Sequence, residues 1–269
     1  MTLPHFRPAE DPGPSFAGLL RELGVGPDYR DLRLDATDAD VSLITHGTTV
    51  VAARFADGVV IAGDRRATSG NLISHRTMNK VFPADRWSGV AIAGAAGPAL
   101  EMVKMFQLQL EHYEKVEGRS LSLEGKANQL SQMLRGHLPM AMQGMVVVPL
   151  FAGFDRRRGF GRLFAYDVTG GRYEEEDFVA SGSGSLFART VIKLGHRNSN
   201  GRDEAVDLLI RALFNAADDD SATGGPDSMR GIYPTVAVIT ADGYADLDEP
   251  EIADRFESVL AEFAEREEA

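Results

Sequence analysis

No cysteine occurs among the 269 residues, which removes disulfides, thiolate metal sites and cysteine nucleophiles together and fits a reducing compartment. Any covalent chemistry must therefore run through oxygen or nitrogen. Positive charge is scarce: 28 Lys and Arg stand against 40 Asp and Glu, for a formal net charge of −12. The clustered cationic surface that gives general nucleic-acid affinity is missing, so no nucleic-acid partner is expected. Long apolar runs are missing as well. The charge-free stretches 89–100 and 144–154 are broken by Gly and Pro and fall short of the ~20 residues of a membrane helix. The first twenty residues carry Pro4, Pro8, Pro12 and Pro14 and lack the apolar centre of a signal peptide, so no membrane span and a cytoplasmic location are expected. The six histidines, at 5, 46, 75, 112, 137 and 196, never fall at metal-ligand spacing. The glycine-rich stretches 94–97 and 181–185 match neither the P-loop nor the dinucleotide fingerprint. Neither metal nor cofactor is expected.

What is present is the composition of a globular chain, 43% apolar and 25% charged, long enough to bury a sizeable core. Residues 1–47 differ in texture from the rest, Pro-rich and then acidic, with Asp28, Asp31, Asp35, Asp38 and Asp40 in quick succession. They read as an appendage, in which Phe16, Leu19, Leu20 and Leu23 have the spacing of a short amphipathic helix. From Thr48 the pattern changes to short β-rich runs. Residues 48–55 and 59–64 flank Asp57-Gly58, a hairpin signal because both residues tolerate positive φ, and 78–82 with 90–93 form a second pair. Two helical stripes follow, Ala99 to Tyr113 and Leu123 to Leu134, separated by Gly118. Strand-like runs return at 145–154, 163–167 and 173–180, then helical spacing at 186–194 and 206–217. A strand at 235–240, an Asp242-Gly243 turn and a helix with Ile252, Phe256, Val259 and Phe263 on one face close the chain. Segregated runs of strands and helices favour an α+β architecture. Strands apolar on both faces, such as 145–150, suggest two stacked sheets with helices outside. The helical stripes offer more apolar face than one sheet contact needs, which points to a partner.

The informative junction is Thr45-His46-Gly47-Thr48-Thr49-Val50. Were the bond after Gly47 cut, Thr48 would open the first strand with a free α-amine beside its own hydroxyl. Nucleophile and general base would then lie on one residue, the amine having a pKa of about 7.7 to 8.0. Taken alone, the Thr pair reads equally as a β-favouring start to a strand. Lys80 taken alone is a strand lysine reaching solvent, and Asp64-Arg65-Arg66 a charged surface turn. The acidic run Asp218-Asp219-Asp220 falls at a helix C-terminus, where negative charge is unfavourable. It is either a solvated end or a carboxylate kept for function despite that cost.

The segments GTTVVAA (47–53), GVVIAGDRR (58–66), IAG (92–94), GSGS (182–185) and DSATGG (220–225), with Lys80, resemble proteasome β subunits, particularly those of actinobacterial type. The likeness runs through residues 46–265 in order and spacing, and residues 1–47 resemble the family's variable propeptide. It implies the four-layer αββα sandwich of N-terminal-nucleophile hydrolases, a propeptide (1–47) removed on maturation and a catalytic domain (48–269). It further implies that Thr48 is the catalytic N-terminal threonine, Asp64 and Lys80 a buried charged pair and Gly94 an oxyanion-hole glycine. Ser183 and Asp220 match supporting polar residues, and Thr223 stands where many members have Ser. Thr68 and Ala96 match positions that hold an extended substrate backbone. Ala67, Met78, Ile92 and Ala96 match the lining of an apolar pocket for the residue preceding the scissile bond.

The activity implied is a threonine endopeptidase, without cofactor, made by autocleavage after Gly47. The partners implied are proteasome α subunits, further β subunits in a homoheptameric ring within a stacked four-ring core, an ATPase regulatory ring and unfolded protein substrates. A noncatalytic ring scaffold and a small-molecule amidase of the same fold are the alternatives.

Overall fold

The computed structural model describes Leu19, residues 47–70 and residues 72–267. The expected amphipathic helix around Phe16 to Leu23 lies outside the described residues apart from Leu19.

Two five-stranded antiparallel sheets make the body. The first, ordered β10-β1-β2-β11-β12, contains β1 (Thr49–Phe55), β2 (Gly58–Gly63), β10 (Phe178–Gly182), β11 (Thr235–Thr240) and β12 (Gly243–Asp246). The second, ordered β5-β6-β7-β8-β9, contains β5 (Val81–Asp85), β6 (Ser88–Ala91), β7 (Leu150–Asp155), β8 (Phe160–Tyr166) and β9 (Arg172–Glu175). A small hairpin, β3 (Ala67–Ser69) with β4 (Leu72–His75), stands apart.

Strand alternation explains the layering. Along β1 and β2, Val50, Ala52, Val59 and Ile61 face the second sheet and meet Val81, Ala91, Leu150 and Leu163. Their alternates Val51, Ala53, Val60 and Ala62 face outward, onto α3 (Ser185–Gly195), α4 (Arg202–Asp219) and α5 (Glu249–Glu267). The outer face of the second sheet, with Val90, Phe151 and Phe164, is covered by α1 (Ala96–Glu117) and α2 (Leu123–Ala141). Three apolar cores between four layers give the αββα sandwich, and strands buried on both faces account for their nearly unbroken apolar sequences.

Local signals set the helix ends. Pro98 falls in the first turn of α1, where its missing N–H costs nothing, and Gly118 ends that helix at φ 66°. The Ser122 hydroxyl caps α2 by accepting the Gly125 N–H at 3.1 Å. Glu204 accepts the Gly201 N–H at 2.8 Å ahead of α4.

Several expectations need correction. The first hairpin turns at Ala56-Asp57, and Gly58 is already in β2 without positive φ; a Cβ there would lie 2.2 Å from the Ile239 carbonyl oxygen, so close packing requires the glycine. The strand expected over 78–82 begins at Val81, and that expected over 90–93 is Ser88–Ala91. The run 145–154 becomes a strand only at Leu150, after Pro149, which lacks a donor for the ladder. The run 173–180 is two strands: it breaks at Glu176-Asp177, so that β9 and β10 belong to opposite sheets. The short strands β3, β4 and β12 had no apolar alternation to reveal them. The stripe residues Ala99, Met102, Val103, Phe106 and Leu110, like Leu123, Ala127, Leu130 and Leu134, are consumed in the core beneath them. Between α1 and α2 there remains a groove of about 170 Å³, whose lining includes Met102, Met105, Met133 and Met140.

Candidate active site

Thr48 lies at the mouth of β1, with only 5% of its surface exposed. The chain is uncleaved, so its nitrogen is an amide; it donates to Ser183 Oγ at 3.3 Å but cannot act as a base. The Thr48 carbonyl accepts the Ser183 N–H at 2.8 Å. Such an approach needs Gly182, whose φ is +101° and whose Cβ would sit 1.8 Å from that carbonyl oxygen. On the other side the Gly47 N–H donates to Thr68 Oγ1 at 3.0 Å. A Cβ on Gly47 would meet the Ala222 Cβ at 1.9 Å. The bond before Thr48 is thus held by backbone fit on both flanks.

Beneath it lies a buried ion pair. Lys80 is 1% exposed, and its Nζ donates to Asp64 Oδ1 at 2.7 Å and to the Arg66 carbonyl at 2.5 Å. The lysine does not reach solvent, and Asp64 is not part of a surface turn. Asp64 Oδ1 also accepts the Thr49 N–H, at 2.8 Å, while Oδ2 accepts the N–H groups of Arg66 and Gly224 at 2.9 and 2.8 Å. Burial holds the Lys80 ammonium below its ordinary pKa, although the charges of Asp64 and Asp220 oppose that shift; Arg66 adds to it.

A third group closes the site. Asp220, just past α4, accepts at Oδ2 from Ser183 Oγ at 2.5 Å and from Thr223 Oγ1 at 2.6 Å. The end of the acidic run is therefore a bonded carboxylate and not a solvated helix end. Thr223 is wholly buried and lies 2.6 Å from Thr49 Oγ1, which accepts the Gly184 N–H at 2.9 Å.

These contacts join segments far apart in sequence into one site. A family model described as proteasome subunit matches residues 44–230. The proteasome subunit beta of Acidimicrobium ferrooxidans is 58% identical over 252 residues, spanning 93% of this chain and 90% of that protein. That of Streptomyces griseus subsp. griseus is 60% identical over 215 residues, 80% of this chain and 76% of that protein. The chain belongs to the proteasome subunit family.

Within this proteasome-family site, Gly94 sits apart from the bonded cluster, at the junction of the second sheet with α1. Its φ is +103°, and a Cβ would lie 2.1 Å from the Val146 carbonyl oxygen. It faces Val147 in an isolated antiparallel bridge whose bonds run through its neighbours, Val148 N–H to Ala93 O at 2.9 Å and Ala95 N–H to Val146 O at 2.7 Å. In that geometry the Gly94 N–H points away from the bridge. No hydrogen bond among the described residues joins Gly94 or Ala96 to the Thr48 cluster.

Of the expected pocket residues, Ala67 and Ile92 are buried, whereas Met78 and Ala96 are half-buried. Ile92 and Met78 belong to one apolar cluster, and the Ile92 N–H donates to the Lys80 carbonyl at 2.9 Å. This ties the apolar surface to the ion pair. Sequence reasoning missed two members of the site, the Arg66 carbonyl that receives Lys80 and the Thr49 side chain. A carbonyl carries no sequence signal, but a second hydroxyl beside Thr48 was visible in the GTT motif.

Among the described residues no group of three or more His, Asp or Glu is arranged to hold a metal ion. No helix among them is long and apolar enough to cross a membrane.

Proposed function

We propose that this chain is the precursor of the peptidase β subunit of a proteasome core particle, with Thr48 as its nucleophile. Membership of the proteasome subunit family and the likeness to two β subunits support the peptidase class. The observation that supports the assignment to Thr48 is the bonding on its two sides: its own N–H to Ser183, which is bonded to Asp220, and the next residue's N–H to Asp64, the partner of Lys80.

Cleavage after Gly47 begins when the Thr48 hydroxyl adds to the Gly47 carbonyl. The amide nitrogen leaves with a proton, and Gly47 is held as an ester on Thr48 Oγ. Water then hydrolyses the ester, freeing the carboxylate of residues 1–47 and the Thr48 α-amine. The mature chain has 222 residues, 269 minus 47. In turnover the hydroxyl attacks the scissile carbonyl while the α-amine takes its proton. The Gly94 N–H serves the developing oxyanion. The amine returns the proton to the leaving nitrogen, and water releases the acyl group. Lys80, kept protonated by Asp64, favours the alkoxide. Ser183, with Asp220 behind it, positions the amine, and Thr223 supports that carboxylate. Thr68 and Ala96 hold the substrate backbone extended, and Ala67, Met78, Ile92 and Ala96 shape an apolar pocket for the residue before the scissile bond.

The subunit assembles with proteasome α subunits. Homoheptameric β rings within a four-ring core, an ATPase ring feeding unfolded proteins and a cytoplasmic site of action complete the proposal. Support for docking comes from the methionine-lined groove between α1 and α2 and from exposed Leu186, Phe187 and Leu194 on α3.

The test is N-terminal sequencing and intact mass of particles coexpressed with the α partner. A start at Thr48-Thr49-Val50, with labelling of Thr48 by a peptide electrophile, is expected. Thr48→Ala should abolish processing and peptidase activity, and Thr48→Ser should keep part of each. Active particles with another N-terminus would refute the assignment.

A further inference from the structure

Beside Asp220 lies a buried hydroxyl pair whose protons can be assigned one by one. A carboxylate only accepts, so Thr223 must spend its single hydroxyl proton on Asp220 Oδ2, 2.6 Å away. In the 2.6 Å contact between the two threonine hydroxyls, Thr49 is then the donor. Thr49 in turn accepts the Gly184 N–H at 2.9 Å. The direction is fixed: Gly184 N–H to Thr49, Thr49 to Thr223, Thr223 to Asp220.

A second branch reaches the same oxygen, from Thr48 N–H to Ser183 Oγ and from Ser183 to Asp220 Oδ2. The two branches run through the adjacent residues Thr48 and Thr49 and converge on one carboxylate oxygen. Thr49 and Thr223 are each wholly buried, so no water replaces a lost donor. Gly184 keeps the pair closed: a Cβ there would lie 2.6 Å from both hydroxyl oxygens.

We propose that Thr49 is a positioning residue of the peptidase reaction, acting through Thr223 to fix Asp220 and thereby Ser183 and the Thr48 amine. Hydrogen bonds in such a chain polarise one another, so the terminal donation to Asp220 is stronger with Thr49 in place than without it. Removing the Thr49 hydroxyl leaves Thr223 unsupported and frees its rotation. It does not touch the substrate surface. The loss should therefore fall on kcat and leave KM alone.

The inference rests on Thr48 being the nucleophile, and the experiment keeps the two claims separable. Chains are expressed with α subunits behind a cleavable leader that exposes Thr48 directly, so that turnover is measured independently of self-processing. Thr49→Val, close in shape and lacking only the hydroxyl, should lower kcat by about tenfold or more, the scale of one hydrogen bond to a charged group, with KM unchanged. Thr49→Ser should retain most of the activity. Thr223→Val should show a similar loss, and the Thr49→Val/Thr223→Val double variant should be no worse than Thr223→Val alone, because the two act in series. Multiplying losses in the double variant, or Thr49→Val turning over like the parent, would overturn the relay. If Thr49→Val does not assemble, Thr49→Cys takes its place; its thiol is a weak donor, and unimpaired kcat would again overturn the proposal. Failure of the parent particle to be labelled at Thr48 would instead strike the functional assignment itself.

Discussion

Replacing Asp64 by Asn tests the electrostatic core of the site, because the change keeps the shape and removes only charge and one acceptor. Each carboxylate oxygen serves two donors, Thr49 N–H and Lys80 Nζ on one side and the Arg66 and Gly224 N–H groups on the other. An asparagine has a single acceptor oxygen, so either orientation turns its NH2 toward two donors. Two orphaned buried donors cost about 1–3 kcal/mol each. Breaking a buried ion pair from one side costs about 3–5 kcal/mol. The two figures overlap, since Lys80 enters both, and about 4 kcal/mol is the expected loss, close to a thousandfold in the folding equilibrium. Lys80→Met breaks the same pair from the other side, also at about 3–5 kcal/mol, but Asp64 keeps three amide donors that hold the cost, the Arg66 carbonyl's lost donor included, to the lower end of that range. The assay is urea unfolding of the unprocessed chain expressed without α subunits, read by linear extrapolation. An Asp64→Asn chain within about 1 kcal/mol of the parent, or more stable than Lys80→Met, would refute the reasoning.

Other outcomes follow from single contacts. Gly47→Ala should leave particles largely unprocessed, because its methyl would overlap the Ala222 side chain; processing at the parental rate, read by intact mass, would contradict this. Lys80 loses its proton below the ordinary 10.5 because of burial, so peptidase activity should fall on an alkaline limb below pH 10.5. Between the folded pKa and 10.5 the unfolded chain binds more protons, and the contribution of Lys80 to stability rises with pH across that window; paired pH–rate and pH–unfolding curves check both signs. Fluorogenic peptides with apolar residues before the scissile bond should outrun acidic and basic ones, given Ala67, Met78, Ile92 and Ala96; the reverse order would contradict the assigned pocket.

Sequence periodicity located the five long helices and most long strands, because each buries a continuous stripe whose spacing is fixed by local geometry. It could not divide residues 173–180. The break at Glu176-Asp177 moves the chain from one sheet to the other, and sheet membership is a tertiary fact that a run of β-favouring residues does not encode. The three-residue β3 likewise carries too few side chains to show a period. Lys80 was ambiguous for a related reason: its neighbours permit exposure or burial, and only the distant Asp64 and Arg66 carbonyl decide. The junction before Thr48 stood out through its chemistry and through family likeness, whereas the bonding of its neighbour Thr49 depends on Thr223, 174 positions away.

The wide separation of these partners also gives the site a place in time. During synthesis, at roughly 5 to 20 residues per second, Thr48 leaves the ribosome on the order of ten seconds before Asp220. Throughout that interval the hydroxyl exists without the carboxylate of Asp220, without Thr223 and without the Gly224 amide that helps hold Asp64 beside Lys80. The growing chain therefore carries the Thr48 hydroxyl in an inert setting, and on the proposed function the fold must be complete before the bond after Gly47 can be cut.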